Sequence, residues 1–157
     1  MEMTKSEQIR AGLQKSFQSR TSSKASTICY GYKVSRAGEL VIDSAEADTV
    51  LFIFHHFMNG DSLGMISDAL ARKGIVSPTG RATWSRETIS KLLANEKYVG
   101  DVVLGKTQVV NGVQIKSQDV CKQVLIKAHH PAIISHELFN AVQHEKRKRN
   151  RSRVANK

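Results

Sequence analysis

The chain has 157 residues, 40% of them hydrophobic, which is enough for one packed domain with appendages. Its 24 Lys and Arg against 14 Asp and Glu leave a formal net charge of +10. A polyanionic partner offsets that self-repulsion, so nucleic acid leads as the partner and an anionic membrane comes second. No run reaches the about eighteen apolar residues of a spanning helix, and the opening MEMTKSEQIR has no signal-peptide core, so a soluble cytoplasmic protein without membrane attachment is expected.

Residues 4–18 place Ile9, Leu13 and Phe17 on one narrow stripe of a basic helix, with Thr4 and Glu7 spaced as a capping box. The polar segment SRTSSKASTI, residues 19–28, reads as an extended linker, so the first helix is expected to be an arm. ICYGYKV and ELVI, joined by SRAG, predict a hairpin over residues 28–42 that turns at Gly38. Asp43 can cap the helix that follows, with Glu46 at its third position. Ala47, Val50, Leu51, Phe54, Phe57 and Met58 form its apolar face, which ends at Asn59-Gly60. Asp61 or Ser62 caps a further helix that stops at Gly74.

SPTGRATWSRETISKLLAN then leads into a short helix, with Ser85 as N-cap and Trp84 placed to staple onto Ile89. Ile89, Leu92 and Leu93 supply its buried stripe. The connection from the preceding helix, about ten residues, is longer than the three or four of a minimal helix-turn-helix, so an elaborated version is expected. Beyond residue 97, YVGDVVLGKTQVV, Asn111-Gly112 and VQIK predict a hairpin, and CKQVLIKA can add a strand. Ser135 caps a last helix whose apolar residues run out near 143. The basic HEKRKRNRSRVANK that follows is expected to fray or serve as a linker.

On the Ser85 helix the buried stripe leaves Arg86, Glu87, Ser90 and Lys91 outward. In helix-turn-helix docking the first residues of the second helix reach base edges while flanking cations hold phosphates. Arg86 is the leading base-reading candidate, since its fork fits guanine O6 and N7. Arg86 and Ser90 lie one turn apart on the same face, Arg81 in the preceding loop can hold a phosphate or enter a groove, and Thr83 and Ser85 flank the helix start. A solvated face on an ordinary helix is the alternative. Arg10, Lys15, Arg20 and Lys24 in the arm and linker, and Lys146 and Arg147 in the tail, can bind phosphates without reading sequence.

No catalytic or metal site is expected, and no cofactor. His55-His56 and His129-His130 lack further ligands at metal spacing. Asp43, Glu46 and Asp48 could form a carboxylate cluster, but two of them are used in capping. Cys29 and Cys121 form no C-x-x-C pair and are expected to be free thiols.

Taken together, YGYKV…GELVIDSAEADTVLFIFHHFMNGDSLGMISDALARKGIVSPTGRATWSRETISKLLANEKYVGDVVLGK and HHPAIISHELFNAVQ resemble the central recombinase domain of large serine recombinases. The likeness covers roughly residues 5–145 and includes Tyr30-Gly31-Tyr32, Gly60, Ser77-Pro78, Trp84, Asn95, Tyr98 and Gly100 in the family's order. Thr27, Ile28 and Cys29 stand where the family often has Gly and Pro. The resemblance implies a connecting helix ending in residues 1–18, a minor-groove linker over 19–28, a DNA-binding domain over 29–145 and a basic linker over 146–157.

It also implies that the chain is not an enzyme by itself. The nucleophilic serine would sit in a catalytic domain and a zinc ribbon would follow, both in one full-length protein that self-associates on double-stranded DNA, while the isolated fragment is monomeric. The expected fold is α+β and predominantly helical: a helical core with an elaborated helix-turn-helix and small β-hairpins, preceded by an arm helix. The expected function is binding of attachment half-sites of a mobile element such as a phage or transposon. A stand-alone winged-helix-like transcription regulator and a basic RNA-binding protein are the rivals.

Overall fold

The computed structural model describes residues 4, 5, 7, 8, 29–116 and 123–156. At the start, Thr4 N donates to Glu7 Oε2 at 2.7 Å and Glu7 N to Thr4 Oγ1 at 3.3 Å, which is the reciprocal capping box the sequence predicts. The remainder of the arm and linker, with Arg10, Lys15, Arg20 and Lys24, lies outside the described residues, as does Cys121.

The described elements follow in the order β1 (Tyr32–Val34), β2 (Leu40–Ile42), α1 (Ser44–Met58), α2 (Leu63–Arg72), α3 (Arg86–Leu93), a 3-10 turn (Glu96–Val99), β3 (Val102–Leu104), β4 (Thr107–Val110), β5 (Val113–Lys116), β6 (Val124–Ile126) and α4 (His136–Ala155). The fold is α+β and predominantly helical. Each strand belongs to a two-stranded antiparallel pair, and Tyr32 faces Ile42 in the first of them.

Local chemistry starts each helix. Asp43, Ser62, Ser85 and Ser135 accept the backbone N–H three residues on, capping α1, α2, α3 and α4. Glu46 does not complete a capping box on Asp43. Its carboxylate accepts from Gly31 N at 2.8 Å, and Asp43 N donates to Gly31 O at 2.9 Å, so the β1–β2 hairpin is stitched onto the start of α1. At the end of α2, Gly74 takes the left-handed conformation (φ +70°) and Ile75 N donates to Leu70 O at 3.1 Å, the closure of a Schellman motif.

The core sits around α1, where Val50, Ile53, Phe54 and Phe57 pack with Ile66 and Leu70 of α2, Ile89 and Leu93 of α3, and Val142 of α4. The buried face of α1 is turned toward Ile53, so Leu51 is half-buried and Met58 exposed, in contrast to the face read from the sequence. A second knot joins distant segments. The Tyr32 hydroxyl donates to Pro131 O at 2.8 Å, Ile133 N and Ile134 N each donate to Tyr98 O at 2.9 Å, and buried His130 donates from Nε2 to Lys97 O at 2.5 Å.

Two expectations are corrected. The hairpin across Asn111-Gly112 forms, β4 with β5, but the β-rich run before it is divided: β3 leaves it to pair with distant β6, the strand within CKQVLIKA, with Val102 facing Ile126. The Glu96 carboxylate ion-pairs with Lys106 and accepts from Val103 N, fixing the chain where β3 hands over to β4. The second correction concerns the tail, which does not fray after residue 143, because α4 continues to Ala155. Polar side chains dock it in place of an apolar stripe. Gln143 Nε2 donates to Leu93 O at 2.6 Å and Lys146 Nζ to Ser90 O at 2.7 Å, satisfying last-turn carbonyls of α3. Arg149 donates to Phe57 O and Asp61 O at 2.8 Å each, lies 4.0 Å over the Phe57 ring and pairs with Glu145 at 2.8 Å.

Candidate nucleic-acid interface

The connection between α2 and α3 is fixed at several points. Ser77 N donates to Arg81 O at 2.8 Å, and Arg81 N returns to Ser77 Oγ at 3.1 Å, closing the Pro78–Gly80 tip into a tight loop. Trp84 is buried beneath it, with Nε1 donating to Ile75 O at 3.1 Å and its indole meeting the Tyr30 ring edge-on at 5.1 Å. Ser67 Oγ on α2 donates to Trp84 O at 2.6 Å. The loop that carries Arg81 is thus mounted on the core. That arrangement presents a side chain with less ordering cost than a mobile loop would.

α3 rises from this base. Ile89, Leu92 and Leu93 face inward, while Thr83, Ser85, Arg86, Glu87 and Lys91 are exposed along with Arg81. Lys91 pairs with Glu87 at 2.7 Å, and that hydrogen bond holds the Glu87 carboxyl below the usual range. Among the described residues neither Arg81 nor Arg86 takes part in an ion pair. The Arg86 guanidinium lies against α2 at Gly64, where a Cβ would stand 3.0 Å from Nη2 and 3.3 Å from Nε. A methyl at residue 64 would press on the guanidinium and make it give by a few tenths of an ångström. The first turn of α2 carries no acidic residue, so the positive end of that helix adds to the positive character beside Arg86.

The structure therefore places Arg81, Thr83, Ser85 and Arg86 on one loop and helix start, with Lys91 exposed in the last turn of the same helix. It treats two other candidates differently. Ser90 is half-buried, and Lys146 is turned inward onto its carbonyl, with burial lowering the lysine pKa. Arg147 is exposed on α4. Arg149, not singled out from the sequence, anchors the helix. The Glu145…Arg149 spacing of i, i+4 is the local signal that could have found it.

No cluster of three or more potential metal ligands occurs among the described residues. His56 Nδ1 pairs with Asp61 at 2.6 Å and His129 Nδ1 lies 3.1 Å from His130 Nδ1. Cys29 is a free thiol whose pKa is raised by burial. Among the described residues no helix is long and apolar enough to cross a membrane.

Two packed helices, a pinned connection and an outward second helix define an elaborated helix-turn-helix domain with peripheral β-pairs. Residues 44–149 match the Recombinase family, and the chain belongs to that family. Its fold is shared with a solved large serine recombinase bound to DNA, described as a crystal structure of an LSR-DNA complex, at a TM-score of 0.51 and 22% identity over 76% of this chain and 31% of that one. A structure from work on the sequence requirements of the Listeria innocua prophage attP site aligns at a TM-score of 0.55 and 21% identity, over 88% of this chain and 50% of that one. The chain spans half or less of each of these solved proteins.

Proposed function

We propose that this chain is the DNA-reading domain of a large serine recombinase and binds one half of an attachment site in double-stranded DNA. In this reading α3 enters the major groove, Arg86 reads a base edge, and Arg81, Thr83, Ser85 and Lys91 hold the flanking backbone. The single observation that carries it is the combination at Arg86: an exposed cation without an ion pair among the described residues, at the start of a helix whose far side is locked in the core. Its neighbour is the positive end of α2, and a bound polyanion relieves that electrostatic conflict. The family membership and the two structures with DNA or a prophage attachment site in their descriptions support the same partner.

The strand-transfer chemistry is then carried by a catalytic domain outside these 157 residues, with a zinc ribbon completing a cytoplasmic, self-associating recombinase. This domain contributes address rather than cleavage.

The test is selection of bound duplexes from a random library, followed by titration against scrambled sequence. Preference for a selected site by about 10³ or more, falling about tenfold or more in Arg86→Ala, supports the reading. Equal affinity for every duplex in the wild-type chain overturns it.

A further inference from the structure

We propose that the outward face of the C-terminal half of α4 is a second contact with the phosphate backbone of duplex DNA, blind to sequence, and that Arg149 is the positioning residue that holds it there. This rests on the DNA-binding reading above and adds a surface to it. The helix divides by face. Inward, Lys146 and Arg149 are committed to carbonyls of α3, α1 and the α1–α2 corner, and Glu145 pairs with Arg149. Outward, His144, Arg147, Lys148 and Arg151 follow one another at i, i+3, i+4 and i+7, all exposed.

Among the described residues none of these four takes part in an ion pair. Like charges at that spacing repel one another, so the helical form of this segment comes from the inward docking and not from its own surface. The result is a row of three cations, Arg147, Lys148 and Arg151, about 6 Å long from the rise of 1.5 Å per residue, with His144 beside its start.

Such a row fits a repeating anion. A helix that settles on a membrane needs an apolar side, and from Gln143 to the end of α4 the one exposed large apolar side chain among the described residues is Val154, too little to supply one. A duplex needs only charge, and each phosphate neutralised releases counterions and steepens the salt dependence of binding.

The experiment is titration of the full chain with a random-sequence duplex over a salt series, for wild type, single Arg147→Gln and the triple variant Arg147→Gln, Lys148→Gln, Arg151→Gln. These positions are exposed and glutamine suits a helix, so far-UV circular dichroism should match wild type. The slope of log affinity against log salt is expected to fall by about 0.9 in the single variant and about 2–3 in the triple, with the preference for selected over scrambled duplex unchanged. Arg149→Gln keeps the three outward cations but should lower the slope as well, and Arg149→Lys should not restore it, because an ammonium cannot bridge two carbonyls and stack on Phe57.

A wild-type slope in the triple variant overturns the proposal while leaving the DNA reading intact. Absence of salt-dependent duplex binding in the wild-type chain fails that reading itself. Binding to phosphatidylserine vesicles that the triple variant loses, with duplex binding unaltered, assigns the row to membranes and also overturns the proposal.

Discussion

Two basic parts of the molecule stand on different foundations. The loop and helix start carrying Arg81 and Arg86 are fixed by apolar burial: Trp84, Ile89 and Leu93 are sunk in the core beneath them. The C-terminal half of α4 carries at least as much positive charge, yet it is fixed by polar side chains placed on the carbonyl ends of α1 and α3. The first foundation is broad and non-directional, and the second depends on a few atoms. Rigid presentation of charge can therefore arise with or without a hydrophobic stripe, and the two kinds should fail differently.

The largest effect is expected from Trp84→Ala. It removes a buried indole and its donor to Ile75 O, and core truncations of that size cost about 3–5 kcal/mol. Urea unfolding should show the loss as a shift of the whole transition. A loss below about 1 kcal/mol would mean that the Arg81 loop is not mounted on the core as described.

Arg149→Gln should cost less, about 2–3 kcal/mol, because it leaves Phe57 O and Asp61 O without their charged donor. Here the damage should be local. Amide exchange should quicken over residues 147–155 while α1, α2 and α3 keep their protection. Uniform acceleration through the whole chain would erase the distinction between the two foundations.

Acid separates them in the opposite sense. Desolvation by burial holds the His130 pKa below its ordinary value of 6.5, outweighing the hydrogen bond to Lys97 O, at the place where the ring packs on Tyr32. The unfolded chain then binds more protons than the folded one as pH drops below about 6.5, so stability is lost from there down to the lowered folded value. Glu145 behaves otherwise. Its hydrogen bond from Arg149 holds its pKa below the usual carboxylate range, and the pairing persists until pH falls through that lowered value. Thermal unfolding between pH 7.5 and 5.5 should thus weaken the core, and His130→Gln should flatten that dependence. A slope unchanged by the substitution would remove His130 as its source.

The same contrast explains what could be read from the chain alone. The caps at Asp43, Ser62, Ser85 and Ser135 and the Asn111-Gly112 turn are decided within four residues, so sequence spacing exposes them. The outward position of Arg86 follows from the buried stripe of its own helix. The bonds of Glu46 to Gly31, Lys146 to Ser90 and Arg149 to Phe57 join residues far apart in sequence, and no local period records them. A basic run also looks identical whether it is solvated or caps another helix. The pairing of β3 with β6 was hidden for the same reason, since the nearer β4 offered an equally plausible partner by composition.

The smallest effect is the most specific test of the α3 site. Gly64→Ala places a methyl against the Arg86 guanidinium, 3.0 Å from Nη2, so the mobile end of this long side chain must give by a few tenths of an ångström. Arg86 can swing away, and alanine suits a helix better than glycine, so the melting temperature should stay level or rise slightly. What changes is the direction in which the fork points. Discrimination between selected and scrambled duplex should fall about tenfold, the scale of one bidentate base contact, with the salt slope unchanged because no charge has been removed. If discrimination survives in Gly64→Ala while Arg86→Ala abolishes it, the guanidinium finds its base without help from α2. Loss in both variants would make the missing side chain at residue 64 part of how the core-mounted helix aims its arginine.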